Sequence, residues 1–257
     1  MIVRAALCPS PPLLASGVSG QTLVIPELRE ACEAAVSWLL AAAPDEVTVV
    51  GPGAATATWP PDSAPDLSMH APGLDRLPNR APAPASALPP ASPVLPASPV
   101  LPAPPLPLSL AIGAQLLDAV GYAGPRVLQS IAESASPAAC RDLGRDLAAD
   151  APLTALLVIG DGTARRSAAA PGYLDDRAEP FDTVVEQAIR DGDLAALAAL
   201  DPHLARDLLA AGRAAWQALA GAIAATTPAR PRTRILYSDA PLGVAYLVAT
   251  LDPTPMK

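Results

Sequence analysis

Thr154-Ala155-Leu156-Leu157-Val158-Ile159 is an apolar run that empties into Gly160-Asp161-Gly162-Thr163-Ala164-Arg165-Arg166. The run is short, continuous and flanked by turn formers, so it reads as a strand buried on both faces with a polar loop at its carboxyl end. The same pattern recurs on either side. Residues 2–8 form an apolar run broken by Pro9, Pro11 and Pro12, residues 47–51 form another behind Asp45-Glu46, and residues 126–131 a further one. Helical spacing fills the intervals. From Pro26 it runs through Leu28, Cys32, Ala35 and Leu39, with Glu27, Glu30 and Glu33 near the positive end. Further helices are expected over 108–120, ended by Gly121, and from a Ser136-Pro137 cap to about Asp150. Another covers 181–190 and stops near Gly192, and a long Ala/Leu helix spans 202–225. Two last strands, 234–238 and 243–251, flank a Pro241-Leu242-Gly243 turn and are close enough to be antiparallel. Alternating strands and helices predict an α/β fold, a central mixed, mostly parallel sheet with helices on both faces, as a single domain over 1–257.

The alternation lapses between roughly Gly51 and Pro107. Ala91-Ser92-Pro93-Val94-Leu95-Pro96 repeats immediately as Ala97-Ser98-Pro99-Val100-Leu101-Pro102, and proline recurs every two or three residues over about 82–107. Proline neither donates to a ladder nor continues a helix, so this is a low-complexity surface insertion. A polyproline ligand for an aromatic groove is the competing reading, and no closely flanking arginine supports it.

Composition excludes whole classes of function. Lys257 is the only lysine, which removes a Walker-A loop, a pyridoxal Schiff base and a lysine nucleophile. His70 and His203 are the only imidazoles, so a three-histidine zinc site is impossible. A formal charge of −8 opposes binding to nucleic-acid phosphates, and one Phe, three Trp and four Tyr leave little for base stacking. No run approaches the roughly 18 apolar residues of a membrane span. The stretch from Met1 to Pro9 is too short, and Leu7 too bulky, for a lipoprotein signal. Cys8, Cys32 and Cys140 are odd in number and widely spaced, which suits reduced thiols in the cytoplasm.

Three strand exits carry candidate chemistry: Cys8-Pro9-Ser10-Pro11-Pro12, the 160–166 loop, and Tyr237-Ser238-Asp239-Ala240-Pro241. In the 160–166 loop, glycines allow the amides of Gly162 and Thr163 to face a ligand, and Arg165 and Arg166 offer guanidinium forks for a carboxylate or phosphate. The alternative is a tight turn in which Asp161 caps local amides and both arginines are solvated. Gly51-Pro52-Gly53-Ala54-Ala55-Thr56 only superficially resembles a dinucleotide fingerprint, because Ala57-Thr58-Trp59-Pro60-Pro61 does not open a helix. His203 reads as a helix-start residue behind Asp201-Pro202, His70 as a loop residue without a recognisable partner, and Cys8 as a buried, inert thiol.

Five segments together resemble the class III extradiol ring-cleavage dioxygenase-like proteins common in actinobacteria. They are residues 6–14, residues 106–113, Val158 to Ser167 with Pro171-Gly172-Tyr173-Leu174, residues 211–216, and residues 237–246. They fall in the right order across nearly the whole chain apart from the proline insertion. The resemblance implies a catechol-cleaving architecture that holds Fe(II) with two histidines and a glutamate. It places the first histidine ligand where this chain has Ser10 and the second where it has Gly51-Pro52-Gly53-Ala54. The acid/base histidine falls where it has Ala164, and only Asp239 offers a carboxylate near the final strand pair.

These residues support a binding or repurposed protein for a small anionic or aromatic ligand. Arg165 and Arg166 would hold an anionic group, with Asp161, Thr163 and Ser10 as hydrogen-bonding groups. No cofactor is expected on that reading, and no nucleic-acid or membrane partner; a homo-oligomer is compatible with it. The alternative is an active oxidoreductase or ring-cleavage enzyme, either with unusual Fe(II) ligands or metal-free with Asp161 or Asp239 as general base.

Overall fold

The structure, a computed structural model, describes residues 1–14, 25–60, 63, 106–149 and 152–253. Seven strands form one mixed sheet in the order β3-β4-β2-β5-β1-β7-β6. They are β1 (Ile2–Cys8), β2 (Glu46–Gly53), β3 (Ala57–Trp59), β4 (Arg126–Ala132), β5 (Thr154–Ile159), β6 (Arg232–Asp239) and β7 (Tyr246–Asp252). The central four, β4, β2, β5 and β1, are mutually parallel. β3 pairs antiparallel with β4 at one side, β7 with β1 at the other, and β6 with β7 at the edge. This is the expected α/β sheet. Its innermost strand, β5, is buried at every position, because helices cover both of its faces.

The helices are α1 (Pro26–Leu40), α2 (Leu108–Ala119), α3 (Pro137–Ala149), α4 (Ala178–Arg190), α5 (Leu194–Ala198), α6 (Pro202–Asp207) and α7 (Arg213–Thr226). On one face α1 and α2 bury Leu28, Cys32, Leu39, Leu110 and Leu117 against Val47, Val49, Leu157 and Ile159. On the other, α3 to α7 bury Cys140, Phe181, Ile189, Leu208 and Trp216 against Leu7, Leu156, Val158 and Ala249. The α3–α7 crossing is backbone to backbone, since a Cβ on Gly144 would stand 1.9 Å from the Ala218 carbonyl oxygen.

Several boundaries differ from those expected. The Ala/Leu stretch 202–225 is two helices, not one. Leu209 takes a φ of +57°, and Gly212 passes under the β5 exit, so close that a Cβ on Gly160 would lie 2.4 Å from the Gly212 Cα. A continuous helix could not bring its backbone into that contact. β2 runs on through Gly51-Pro52-Gly53, and Ala57–Trp59 is an edge strand where the sequence shows only loss of pattern. Three residues with a proline next door carry no periodicity to read. β7 starts at Tyr246, since Gly243 sits at a φ of +73° in the preceding turn. Of the proline-rich insertion, Leu106 is buried in the core and Pro107 precedes α2, so the last two residues of 82–107 belong to the fold. The hexapeptide repeat and His70 lie outside the described residues. Among the described residues, no helix is long and apolar enough to cross a membrane.

Candidate functional site

The parallel register decides which loops meet. Cys8 pairs with Ile159, and the Gly160 amide donates to the Cys8 carbonyl at 3.0 Å. Two residues further along each chain segment lie Ser10 and Asp161. The Ser10 amide donates to Asp161 Oδ1 at 2.7 Å, and its hydroxyl lies 3.4 Å from Oδ2. Both residues line a cleft of about 650 Å³ at the carboxyl ends of the parallel strands. Its other walls come from Pro52 to Ala54 at the end of β2, Glu133 and Ser134 beyond β4, Ser109 of α2, and Ala211. The helix that follows β1, α1, packs on one face of the sheet, and the helix that follows β5, α4, packs on the other. A crevice opens where neighbouring connections part in this way, and ligands of open α/β sheets bind there.

Asp161 is the chemically distinctive group in this cleft. Burial raises its carboxyl from the ordinary 3.8 to about 6, against the two Ser10 bonds that lower it. Its backbone carbonyl accepts the Gly212 amide at 2.8 Å, which ties the β5 exit to the start of α7. Nearby Tyr246 is 4% exposed, and its phenol is pushed up by burial first and then by the Asp161 charge.

The rest of the 160–166 loop faces elsewhere. The Gly162 amide donates to Ala245 O (2.8 Å), Thr163 to Asp182 Oδ1 (2.9 Å), Ala164 to Leu208 O (3.1 Å) and Arg166 to Gly243 O (3.0 Å). The amides expected to cradle an anion are therefore spent inside the protein. Thr163 Oγ1 donates to Asp182 Oδ2 at 2.6 Å, and Arg166 pairs with that same oxygen at 3.2 Å and with Glu179 at 3.6 Å. Arg165 donates to the Gly172 carbonyl at 2.6 Å, while its Nε is buried without a partner. Neither guanidinium lines the cleft with Ser10 and Asp161. Thr163 and Arg166 turn instead onto α4, which presents Glu179 and Asp182.

The third strand exit meets the 160–166 loop but not the cleft of Ser10 and Asp161. Asp239 is exposed, accepts the amide of Ala240 at 2.7 Å, and lines a separate cavity of about 240 Å³ with Gly162, Arg166, Glu179, Asp182 and Ser238. Ala164 likewise stands outside the cleft, whereas Ser10 and Pro52 to Ala54 share it. Asp201 accepts the His203 and Leu204 amides as an N-cap, so His203 is the helix-start residue that its position suggests. Cys8 and Cys32 are buried neighbours, and the Cys8 thiol is held well above its ordinary value by its hydrogen bond with Cys32 and by burial. Sequence reasoning misses Glu133, Ser134 and Ser109. The polar pair directly after β4 obeys the same strand-exit rule that picks out Ser10 and Asp161, whereas Ser109 sits inside an otherwise apolar helical turn that carries no such signal.

No known family profile matches the chain, and no curated protein does either. Among solved structures, the chain is similar to the crystal structure of uncharacterized protein JW3007 from Escherichia coli K12. The TM-score is 0.52 at 13% identity, over 97% of this chain and 99% of that one. At such identity the likeness is one of fold, and function has to be read from the site.

Proposed function

We propose that the chain is a class III extradiol dioxygenase-like protein without that family's histidine iron site, and that it binds a small organic molecule in the Asp161 cleft. The observation that carries this reading is the Asp161 carboxyl itself. It stands at the parting of the β1 and β5 connections, lines an open cleft, and takes hydrogen bonds from Ser10, with no cation paired to it among the described residues. A carboxylate so placed accepts a hydrogen bond from a ligand hydroxyl or amine more strongly than it would in water.

The described residues of the cleft do not fit Fe(II). They supply a serine hydroxyl, backbone from Pro52 to Ala54, and the carboxyls of Asp161 and Glu133, and no imidazole is among them. No group of three or more His, Cys, Asp or Glu that could hold a metal occurs among the described residues.

One observation favours catalysis as a second reading. A carboxyl near 6 is poised to take and return a proton close to neutrality, which makes Asp161 the general base of a metal-free reaction. Asp239, exposed in another cavity, is not placed for that task in the Asp161 cleft.

Calorimetric titration with phenol, a neutral hydroxyl donor, tests the binding reading. The native protein should bind it measurably at pH 8, and Asp161→Asn should weaken it about tenfold, because the amide presents no charged acceptor. Equal binding by both proteins would remove Asp161 from the site.

A further inference from the structure

The cleft does not end at Glu133. A second cavity of about 430 Å³ shares Glu133, Ser134 and Ala211 with it, so the two adjoin as a near and a far half around the β4 exit. The far half lies between that exit and the break separating α6 from α7. Its charge runs opposite to that of the chain. In a protein of formal charge −8, its walls carry Arg206 and Arg213 against the single acid Glu133.

Arg213 decides what this half can hold. It is 3% exposed and donates to the carbonyls of Glu133 and Ala135 and to Gln217 Oε1, with Cys140 Sγ at 3.6 Å. Every one of these acceptors is neutral. They satisfy its N–H groups without cancelling its charge, and a guanidinium keeps that charge at any working pH. Other arginines near the strand exits are paired with acids: Arg166 has Asp182 and Glu179, and Arg177 has Asp175 and Asp207. No ion pair forms at Arg213 or Arg206 among the described residues, and Asp207, next in sequence to Arg206, is turned to Arg177. A desolvated, uncompensated cation attracts an anion strongly, since little water screens it. The remaining walls, among them Pro202, Ala205, Leu209 and Ala214, are apolar and sharpen the effect. The first turn of α7 begins at the same place, with Gly212 offering no side-chain cap to its amides.

We infer that the cavity lined by Arg206 and Arg213 receives the oxyanion group, a carboxylate or phosphate, of the small molecule whose other end lies against Asp161. This rests on the cleft being a ligand site and narrows the ligand class to a small organic acid or phosphoester with a hydrogen-bond donor at the opposite end. The anion is placed by the α6–α7 break, not by the 160–166 loop.

The test uses three probes by calorimetry at constant ionic strength: succinate, inorganic phosphate and phenol. Arg206 is exposed, so Arg206→Glu leaves the fold intact, and Glu133→Gln removes the one acid. Succinate or phosphate should bind the native protein, at least tenfold more weakly to Arg206→Glu and a few-fold more tightly to Glu133→Gln, while phenol should not distinguish Arg206→Glu from the native protein. Whichever anion is tighter identifies the group. Anions that bind native and Arg206→Glu proteins equally, or neither, would overturn the inference while phenol binding kept the Asp161 cleft. Anion binding without phenol binding would instead keep the cation site and remove the Asp161 reading. Arg213→Lys, which retains charge but loses the fork, should preserve weakened anion binding if folded, and the Arg206 and Glu133 arms decide the matter if it is not.

Discussion

Asp161 shows how one burial sets a pH response. Its folded carboxyl, raised from 3.8 to about 6, takes up a proton more readily than the same group in the unfolded chain. At this group the native state therefore binds more protons between those values, and the contribution of Asp161 to stability falls as pH rises from about 4 to about 6, then levels off. The shift corresponds to on the order of 1–3 kcal/mol, because one pKa unit is worth about 1.4 kcal/mol and the carboxyl retains some water. Asn can still accept the Ser10 amide and offer its own NH₂ to the Ser10 hydroxyl. Asp161→Asn should thus leave stability nearly unchanged at pH 4 and raise it at pH 7.5, as followed by urea denaturation at both values. A variant less stable at pH 7.5 would mean that the carboxylate is held by partners other than Ser10. Asp182 has a different setting. Burial pushes its carboxyl up, but two Thr163 bonds and Arg166 oppose this, so Asp182 has a cation where Asp161, among the described residues, has none.

Among the elements, the pair α3 and α7 is the tightest constraint, and it also holds the proposed site. Gly144 faces the Ala218 carbonyl and Gly221 faces the Arg141 carbonyl, so neither helix can carry a side chain at the crossing. Arg213, at the start of α7, reaches from this packed pair to the β4 exit and fixes the wall shared by both halves. Gly144→Ala would put its Cβ 1.9 Å from a backbone oxygen that cannot swing away. The helices would have to separate, at a cost of about 2–4 kcal/mol, visible as a lower urea midpoint with little change in slope. An unchanged midpoint would show that the crossing gives way cheaply. The same displacement should weaken anion binding, because Arg213 would move with α7.

At the scale of the whole molecule, the donor set of the cleft bears on metal content. Purified protein should carry iron only at adventitious, far from stoichiometric, levels, because the described residues of the cleft offer hydroxyl and carboxylate and no imidazole. Elemental analysis giving near one iron per chain, lost on changing Ser10 or Asp161, would refute this. Chain layout bears on stability. Replacing residues 82–105 by a short Gly/Ser linker should alter it by no more than about 1 kcal/mol, as for a surface loop. Extending the excision through Leu106, which is 4% exposed, should cost roughly 2–3 kcal/mol more through lost apolar burial. Thermal denaturation of the two deletions separates these outcomes.

The sequence by itself determined the alternation of elements and hence the α/β class, because periodicity and proline punctuation are local properties that a chain displays before it folds. It also placed Ser10 and Asp161 at strand exits, since polar residues directly after buried strands stand at sheet ends by construction. It did not determine which strand exits share a cleft. That follows from strand order: β5 lies between β2 and β1, so the exits of β1 and β5 meet and Asp239, beyond β7, is left in another cavity. Nor could it show that the conspicuous Arg165-Arg166 pair is turned away, with Arg166 neutralised by α4 and Arg165 tied to the Gly172 carbonyl, while the inconspicuous Arg213 lines a cavity beside the cleft without an ion pair. A charge acquires its partners only when distant segments are packed together, and the α6–α7 break beside this one is where Gly212 meets Gly160.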